Sequence, residues 1–217
     1  RWVFGRWWRF GKLVMNISKE DQDRITKAIR AAEAKTSGEI VCVLAQTSTQ
    51  ATALPVFIAA VVALALPWLF TAFTAMTVFR ILSLQIVVFL ALLMLFCLPR
   101  VRVALMPRRA RRAAAYRLAM EQFVGRGLAR NNSQSGILIF VSLAEHYARI
   151  VAGTAISVRV PQSRWQEAVD ALVAHTRNGR IAEGFITAIE MCGEELAKHF
   201  PHTTVDRNEL PDRIYLI

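Results

Sequence analysis

Residues 36–70, TSGEIVCVLAQTSTQATALPVFIAAVVALALPWLF, decide the fold because two different patterns meet in them. The first, Glu39–Ala45, is short, rich in β-forming residues and apolar on both faces, which predicts a strand covered on each side. Six residues later an apolar run begins that is long enough to cross a bilayer as a helix. The sequence therefore predicts a domain whose strand leads directly into a membrane segment.

Two long runs without charge follow this strand. No charged residue occurs over 51–79, and after Arg80 none occurs over 81–98. A helix needs roughly 18 to 20 apolar residues to cross about 30 Å of hydrocarbon. We predict two spans that form a transmembrane hairpin, at about Ala53–Phe73 and 78–98. The alternative is a pair of buried core helices, which is disfavoured because soluble helices of this length rarely lack charge on every face.

The net charge of +11 is confined to the flanks of the apolar runs. Residues 20–50 and 118–217 are each close to neutral, whereas the bases before, between and after the apolar runs have no acid among them. Cytoplasmic flanks of membrane spans carry such an excess of Lys and Arg, and the turn at 74–77 has no charge. We therefore expect an integral protein of the bacterial inner membrane with its soluble domain and both termini in the cytoplasm. A nucleic-acid partner is not expected, because its binding face would place the bases on the folded domain.

The bases and aromatics nearest the spans are our candidate membrane-surface residues. Amphipathic rings beside cations suit the headgroup layer. The alternative for the N-terminal segment is an unstructured extension. The candidates for headgroup contact are Arg100, Arg102, Arg108, Arg109, Arg111 and Arg112, and the candidate interfacial aromatics are Trp2, Trp7 and Trp8.

The remaining patterns complete an α/β domain. Ser18 is placed to cap a helix that Gly38 can close. The runs GILIFVSLA and YARIVAG predict two more strands, joined as a hairpin through Glu145 and His146. Further helical patterns follow the second span and the hairpin, and the chain ends in a strand-like IYLI.

Strands with helices on both faces predict a small three-layer α/β/α sandwich interrupted by the two-helix transmembrane hairpin. The predicted organisation is an aromatic and basic interfacial segment, 1–14; the first part of the domain, 15–50; the hairpin, 51–98; the second part of the domain, 99–200; and a C-terminal tail, 201–217.

Several segments together resemble a known family. AIRAAEAKTSGEIVCVLA, SGILIFVSLAEHYARIVAG, RIAEGFITAIEMCGEELAKHF and the later NELPD are similar to the TPM domain family, in particular to its bacterial branch with two spans inside the domain. The resemblance implies an α/β/α sandwich. It also implies attendance on membrane complexes, since relatives include thylakoid proteins of photosystem repair, with reported acid phosphatase activity, and an auxiliary protein of a neuronal receptor. A photosynthesis-related role is one possibility that it raises.

The family's metal-binding pattern is not matched here. In many relatives the strand corresponding to RIVAG leads into Gly-Leu-Glu and an Asp thought to help hold a metal, but residues 154–165, TAISVRVPQSRW, contain no acid. Elsewhere the carboxylates are scattered, and Glu167 and Asp170 form the kind of helical pair that usually belongs to a solvated face. We therefore expect no catalytic, cofactor-binding or metal-binding residue.

Two functional hypotheses follow. The first is a non-catalytic accessory, assembly or stabilising factor that contacts the lipid bilayer and a membrane protein complex. The alternative is a membrane-bound acid phosphatase that depends on a divalent metal. The three cysteines have no partner at metal-ligand spacing and fit a reducing cytosol.

Overall fold

The computed structural model describes residues 17–48, 53–73, 77–98, 106–129, 136–202 and 211–217. They fall into two compact units, one from Arg1–Ser48 and Ala115–Ile217 and the other from Thr49–Ala114. We call the first the α/β unit and the second the apolar unit. In chain order the elements are α1 (Lys19–Glu33), β1 (Glu39–Ala45), α2 (Ala53–Phe73), α3 (Val78–Cys97), α4 (Arg108–Gly125), β2 (Gly136–Ser142), β3 (Tyr147–Ala152), α5 (Thr154–Arg159), α6 (Gln162–Arg177), α7 (Ile181–His199) and β4 (Ile214–Leu216).

The α/β unit contains a four-stranded sheet in the order β3-β2-β1-β4. Strand β1 is parallel to β2, from Glu39 opposite Gly136 to Ala45 opposite Ser142. It is also parallel to β4, whereas β2 and β3 are antiparallel. The predicted α/β fold and the predicted β-hairpin of β2 and β3 are therefore confirmed. The C-terminal strand β4 lies at the edge of the sheet beside β1.

Helices cover both faces of this sheet. Cys42 and Leu44 of β1 point into a core shared with α1, α6 and α7. Val41 and Val43 point to the opposite face, where they pack with Phe140 and with the buried side of α4. Every residue of β1 and β2 is buried, because successive side chains of a strand alternate between two covered faces.

The start of α1 agrees with the sequence prediction, and its end does not. The backbone N–H of Asp21 donates to Ser18 Oγ at 3.0 Å, as an N-cap requires. The helix ends at Glu33, so Gly38 does not close it. Instead, Thr36 Oγ1 donates to the carbonyl of Phe200 at 2.5 Å and accepts from the N–H of Gly38 at 3.1 Å. The helix end itself is closed locally, where the N–H groups of Ala34 and Thr36 donate to the carbonyls of Arg30 and Glu33.

The apolar unit contains α2 and α3, which contact each other. Within the described residues, one helix is long and apolar enough to cross a membrane: Val78–Phe96, with a mean hydropathy of 2.5 and 6% of its residues buried. The apolar part of α2, Val56–Trp68, is shorter. The helices form close to the predicted bounds, but the two-span transmembrane hairpin is not confirmed.

Candidate functional site

The carboxyl ends of β1 and β2 form a candidate ligand-binding edge of the sheet. The two strands are adjacent and parallel, and they end opposite each other at Ala45 and Ser142. In open α/β sheets, ligands bind outside the carboxyl ends of parallel strands. Here β1 continues into Thr47 and Ser48, and β2 continues into the turn that leads to β3.

A buried carboxylate joins these two segments. Glu145, with 5% of its surface exposed, accepts from the N–H of Ser48 at 3.0 Å with each carboxylate oxygen. Thr47 Oγ1 donates to Glu145 Oε1 at 3.1 Å, and Ser142 Oγ donates to Glu145 Oε2. Ser48 Oγ in turn donates to Ser142 Oγ at 2.8 Å. We call Thr47, Ser48, Ser142 and Glu145 the carboxylate clamp.

The turn that carries Glu145 has a special backbone. His146 has φ of 51°, in the left-handed region that non-glycine residues seldom adopt. Its N–H donates to the carbonyl of Leu143 at 3.3 Å, and the N–H of Leu143 donates to the carbonyl of Ala45 at 3.1 Å. The hydrogen bonding between β1 and β2 thus continues past the strand ends and brings Glu145 beside Ser48.

The geometry of the clamp suits a structural role better than nucleophilic catalysis. A nucleophilic serine needs a base on one side and open access for a carbonyl or phosphoryl group on the other. Ser142 has 1% of its surface exposed, and its oxygen already donates to Glu145 and accepts from Ser48. The clamp therefore holds Ser48, the last residue before the apolar unit, against the β2–β3 turn.

A small pocket adjoins the clamp. Its volume is about 70 Å³. Ligand pockets usually measure roughly 300 to 1,000 Å³, so this one has room for waters or a small ion. Its polar lining consists of Ser142, His146, Tyr147, Thr176 and Arg177.

A second group of carboxyls lies near the start of β1. Glu33 Oε1 accepts from the N–H of Ile40 at 2.8 Å, and Asp212 is paired with Arg30 at 3.2 Å. Burial raises the pKa of Glu33 to about 8; the Ile40 N–H opposes this rise, and the neighbouring Asp212 and Glu39 add to it. At neutral pH Glu33 is therefore mostly protonated.

The described residues contain no group of three or more His, Cys, Asp or Glu side chains placed to hold a metal ion. Glu167 pairs with Arg164 at 3.0 Å, and Asp170 accepts from Gln166 at 2.9 Å, so both carboxylates belong to contacts along α6. Burial raises the pKa of the Cys42 and Cys192 thiols, which keeps them protonated and poorly nucleophilic.

Four of the candidate membrane-surface residues lie in the described part of the chain. In the first turns of α4, Arg108, Arg109 and Arg112 are exposed and Arg111 is half-buried. The other candidates, Arg100, Arg102, Trp2, Trp7 and Trp8, are outside the described residues. Lipid contact by these residues stays a prediction.

Sequence reasoning missed the clamp. The sequence patterns place Glu145 only in the link between two strands, and Thr47 and Ser48 only in the first part of the domain, 15–50. The available signal was the spacing Ser142-x-x-Glu145 directly after a buried strand, which resembles local side-chain pairs at turns. The contact with Ser48, 97 residues away in sequence, has no local signal.

Part of the chain is similar in sequence to a known domain family. Residues 99–195 match the TPM domain. This TPM segment runs from just before α4 into α7 and contains β2 and β3, and it confirms the family resemblance over that range. Strand β1, between β2 and β4 in the sheet, lies outside it.

A solved structure shares the fold. The BA42 protein from the psychrophilic bacterium Bizionia argentinensis, determined by NMR, is 21% identical, with a TM-score of 0.60; the match covers 94% of this chain and 98% of that one. At this identity the likeness concerns the fold alone. No curated protein matches the chain in sequence.

Proposed function

We propose that the chain is a membrane-anchored protein whose TPM-like α/β unit acts as a non-catalytic accessory, assembly or stabilising factor of a membrane protein complex. The observation that carries this proposal is the exposed apolar surface of α3. Phe79 and Met94 are 79% and 77% exposed, and 6% of the window Val78–Phe96 is buried. Apolar surface of this extent is unfavourable in water and marks contact with a membrane or with protein.

Helix α2 supports the same interpretation. Phe57, Leu64 and Trp68 are 66%, 65% and 82% exposed, so α2 also has large apolar side chains on its surface. Together α2 and α3 would form the two-span hairpin. The uncharged stretch between them and the basic flanks on either side favour a bacterial inner-membrane protein with its α/β unit and both termini in the cytoplasm.

The clamp supports an anchoring role for the α/β unit. The hydroxyls and the carboxylate at the carboxyl ends of the strands bind one another, and they fix the chain where it leaves for the apolar unit. Groups that bind one another in this way favour a structural role over a catalytic one, which supports a non-catalytic factor.

Membrane anchoring is tested by fractionation of bacterial cells expressing the full chain. We expect the protein to stay in the membrane pellet after a carbonate wash at high pH. In α3, Ile86 and Leu90 are 61% and 58% exposed, so Ile86→Lys with Leu90→Lys should release the protein or prevent its insertion. Val158→Lys, at an 82% exposed position of α5 in the α/β unit, is the matched control and should have no effect.

The accessory role is tested by purification in a mild detergent. Co-purification of a larger membrane assembly is the expected result, and a monomer without partners under these conditions would contradict it. Metal-dependent hydrolysis of a phosphate ester by the purified protein would favour the alternative, a membrane-bound acid phosphatase.

A further inference from the structure

The described residues of the α/β unit carry as many acids as bases, yet the acids are unevenly distributed between its two helical layers. The acidic side chains of the described helices lie on α1, α6 and α7, with Glu121 of α4 as the exception. The opposite layer carries arginines. They come from α4, from the turn after it and from the two outer strands of the sheet.

Strand alternation places the strand arginines beside α4. Ile150 and Ile214 point into the core under α1, α6 and α7, so their neighbours Arg149 and Arg213 point to the other face. Tyr215, two residues after Arg213, packs against the core under α4. We call Tyr116, Arg117, Arg126, Arg149, Arg213 and Tyr215 the arginine–tyrosine face.

Aromatic rings position these guanidinium groups. Arg149 lies over the ring of Tyr116, 4.8 Å from its centroid. At the other edge of the sheet, Arg126 lies 3.4 Å and Arg213 lies 4.8 Å from the centroid of Tyr215. Two cations therefore share one ring, an arrangement that cation–π attraction favours and charge repulsion opposes.

Among the described residues, no ion pair involves an arginine of this face. The ion pairs among the described residues use the cations Arg24, Arg30, Arg164 and Lys198, all in the opposite layer. Burial, together with the nearby Arg213, lowers the pKa of Arg126, while Tyr215 opposes this fall. The face is also accessible, since Arg117, Arg149 and Arg213 are exposed and Tyr116 is 41% exposed. Its charge is complementary to an anionic surface.

We propose that the arginine–tyrosine face binds the phosphate groups of anionic phospholipids and so holds the α/β unit flat against the cytoplasmic leaflet. This inference rests on the proposed membrane anchoring. A lipid surface fits better than a nucleic acid or an acidic protein for two reasons. Only residues 98–107 separate the candidate span from α4. In addition, tyrosine and arginine are residues that proteins commonly place in the headgroup layer.

The test uses the full chain reconstituted into nanodiscs of phosphatidylcholine alone or with phosphatidylglycerol. An environment-sensitive dye is attached at Val124→Cys, a 53% exposed position of α4, and quenching by a headgroup spin label is measured. We expect strong quenching of the dye only in nanodiscs that contain phosphatidylglycerol. High salt should abolish this quenching, because it screens the charges. A dye at Val158→Cys, in α5, should respond to neither lipid.

Charge variants identify the residues responsible. Arg126→Gln with Arg213→Gln should reduce the ratio of docked to undocked α/β unit by roughly fivefold for each arginine removed. Lys27→Gln with Arg180→Gln removes the same charge from exposed positions of the opposite layer and should leave the ratio unchanged.

The outcomes separate this proposal from the proposed function. If the protein resists carbonate extraction but the dye at position 124 does not respond to phosphatidylglycerol, anchoring stands and the lipid-binding face is overturned. Salt-sensitive binding of fluorescent single-stranded DNA without a lipid response would also overturn it, in favour of a nucleic acid. Release by carbonate would instead contradict the anchoring itself.

Discussion

Glu33 should make the stability of the α/β unit depend on pH in a way that one substitution can remove. Burial raises its pKa from 4.5 to about 8, so the folded state holds a proton that the unfolded state releases. A group whose pKa is raised on folding contributes stability that is full below its unfolded pKa and is lost as the pH rises through its folded pKa. The stability that Glu33 contributes is therefore lost as the pH rises from 4.5 to about 8.

The size of the effect follows from the shift. Each pKa unit corresponds to about 1.4 kcal/mol, so between pH 5 and pH 8.5 Glu33 should lower the free energy of unfolding by at most about 4 kcal/mol. Glu33→Gln keeps an oxygen to accept from the N–H of Ile40 and gains an N–H to donate to Asp212. The variant should match the wild type near pH 5 and be more stable at pH 8.5 by up to that amount.

The assay is equilibrium unfolding by urea of the full chain in a mild detergent. Trp165 is 3% exposed in the core on the α1 side and reports unfolding when the other four tryptophans are replaced by phenylalanine. Glu190→Gln, at an exposed position of α7, is the control and should preserve the wild-type pH dependence. If Glu33→Gln loses stability between pH 5 and pH 8.5 as steeply as the wild type, the assignment of a buried, protonated Glu33 is wrong.

Two further predictions use the same assay. Gly193→Val should lower the free energy of unfolding by about 2 to 3 kcal/mol, because a Cβ at this position would lie 2.7 Å from the Cβ of Ala32 on α1; wild-type stability would show that the two helices can separate there. Glu145→Ala should cost about 2 to 4 kcal/mol by leaving the N–H of Ser48 without its acceptor, and Glu145→Gln should cost less; equal stability of all three proteins would contradict the role of the clamp.

Local patterns in the sequence were sufficient for most of the secondary structure. The all-buried run Glu39–Ala45 predicts a strand covered on both faces, and the N-cap Ser18 predicts the start of α1, because both depend on neighbouring residues. The end of α1 is instead closed by the backbone N–H groups of Ala34, Lys35 and Thr36, none of which needs a glycine. For that reason the glycine rule, which considers only local backbone freedom, placed the end incorrectly at Gly38.

The site chemistry depends on contacts that sequence spacing does not encode. Glu33 appears as an ordinary acid near the end of an amphipathic helix, and only folding brings Asp212 and the N–H of Ile40 to it. The uneven distribution of charge between the two helical layers also arises only on folding. Arg149 in β3 and Arg213 just before β4 show no special pattern in the sequence, and only folding places both on the side of the sheet that α4 covers.

The clamp explains how the sheet accommodates so long an insertion. Strands β1 and β2 are parallel neighbours, and a crossover between such strands needs only a dozen or more residues, whereas here it spans residues 46–135. Closing a longer loop costs about 0.6 kcal/mol per doubling of its length, which amounts to about 2 kcal/mol for nearly three doublings. A hydrogen bond contributes roughly 0.5 to 1.5 kcal/mol net, so the Glu145 bonds to Thr47 and Ser48 together are comparable with that cost. They also act at the point where the loop begins. The clamp therefore extends the contact between the chain and the β2–β3 turn as far as Ser48, three residues beyond the end of β1.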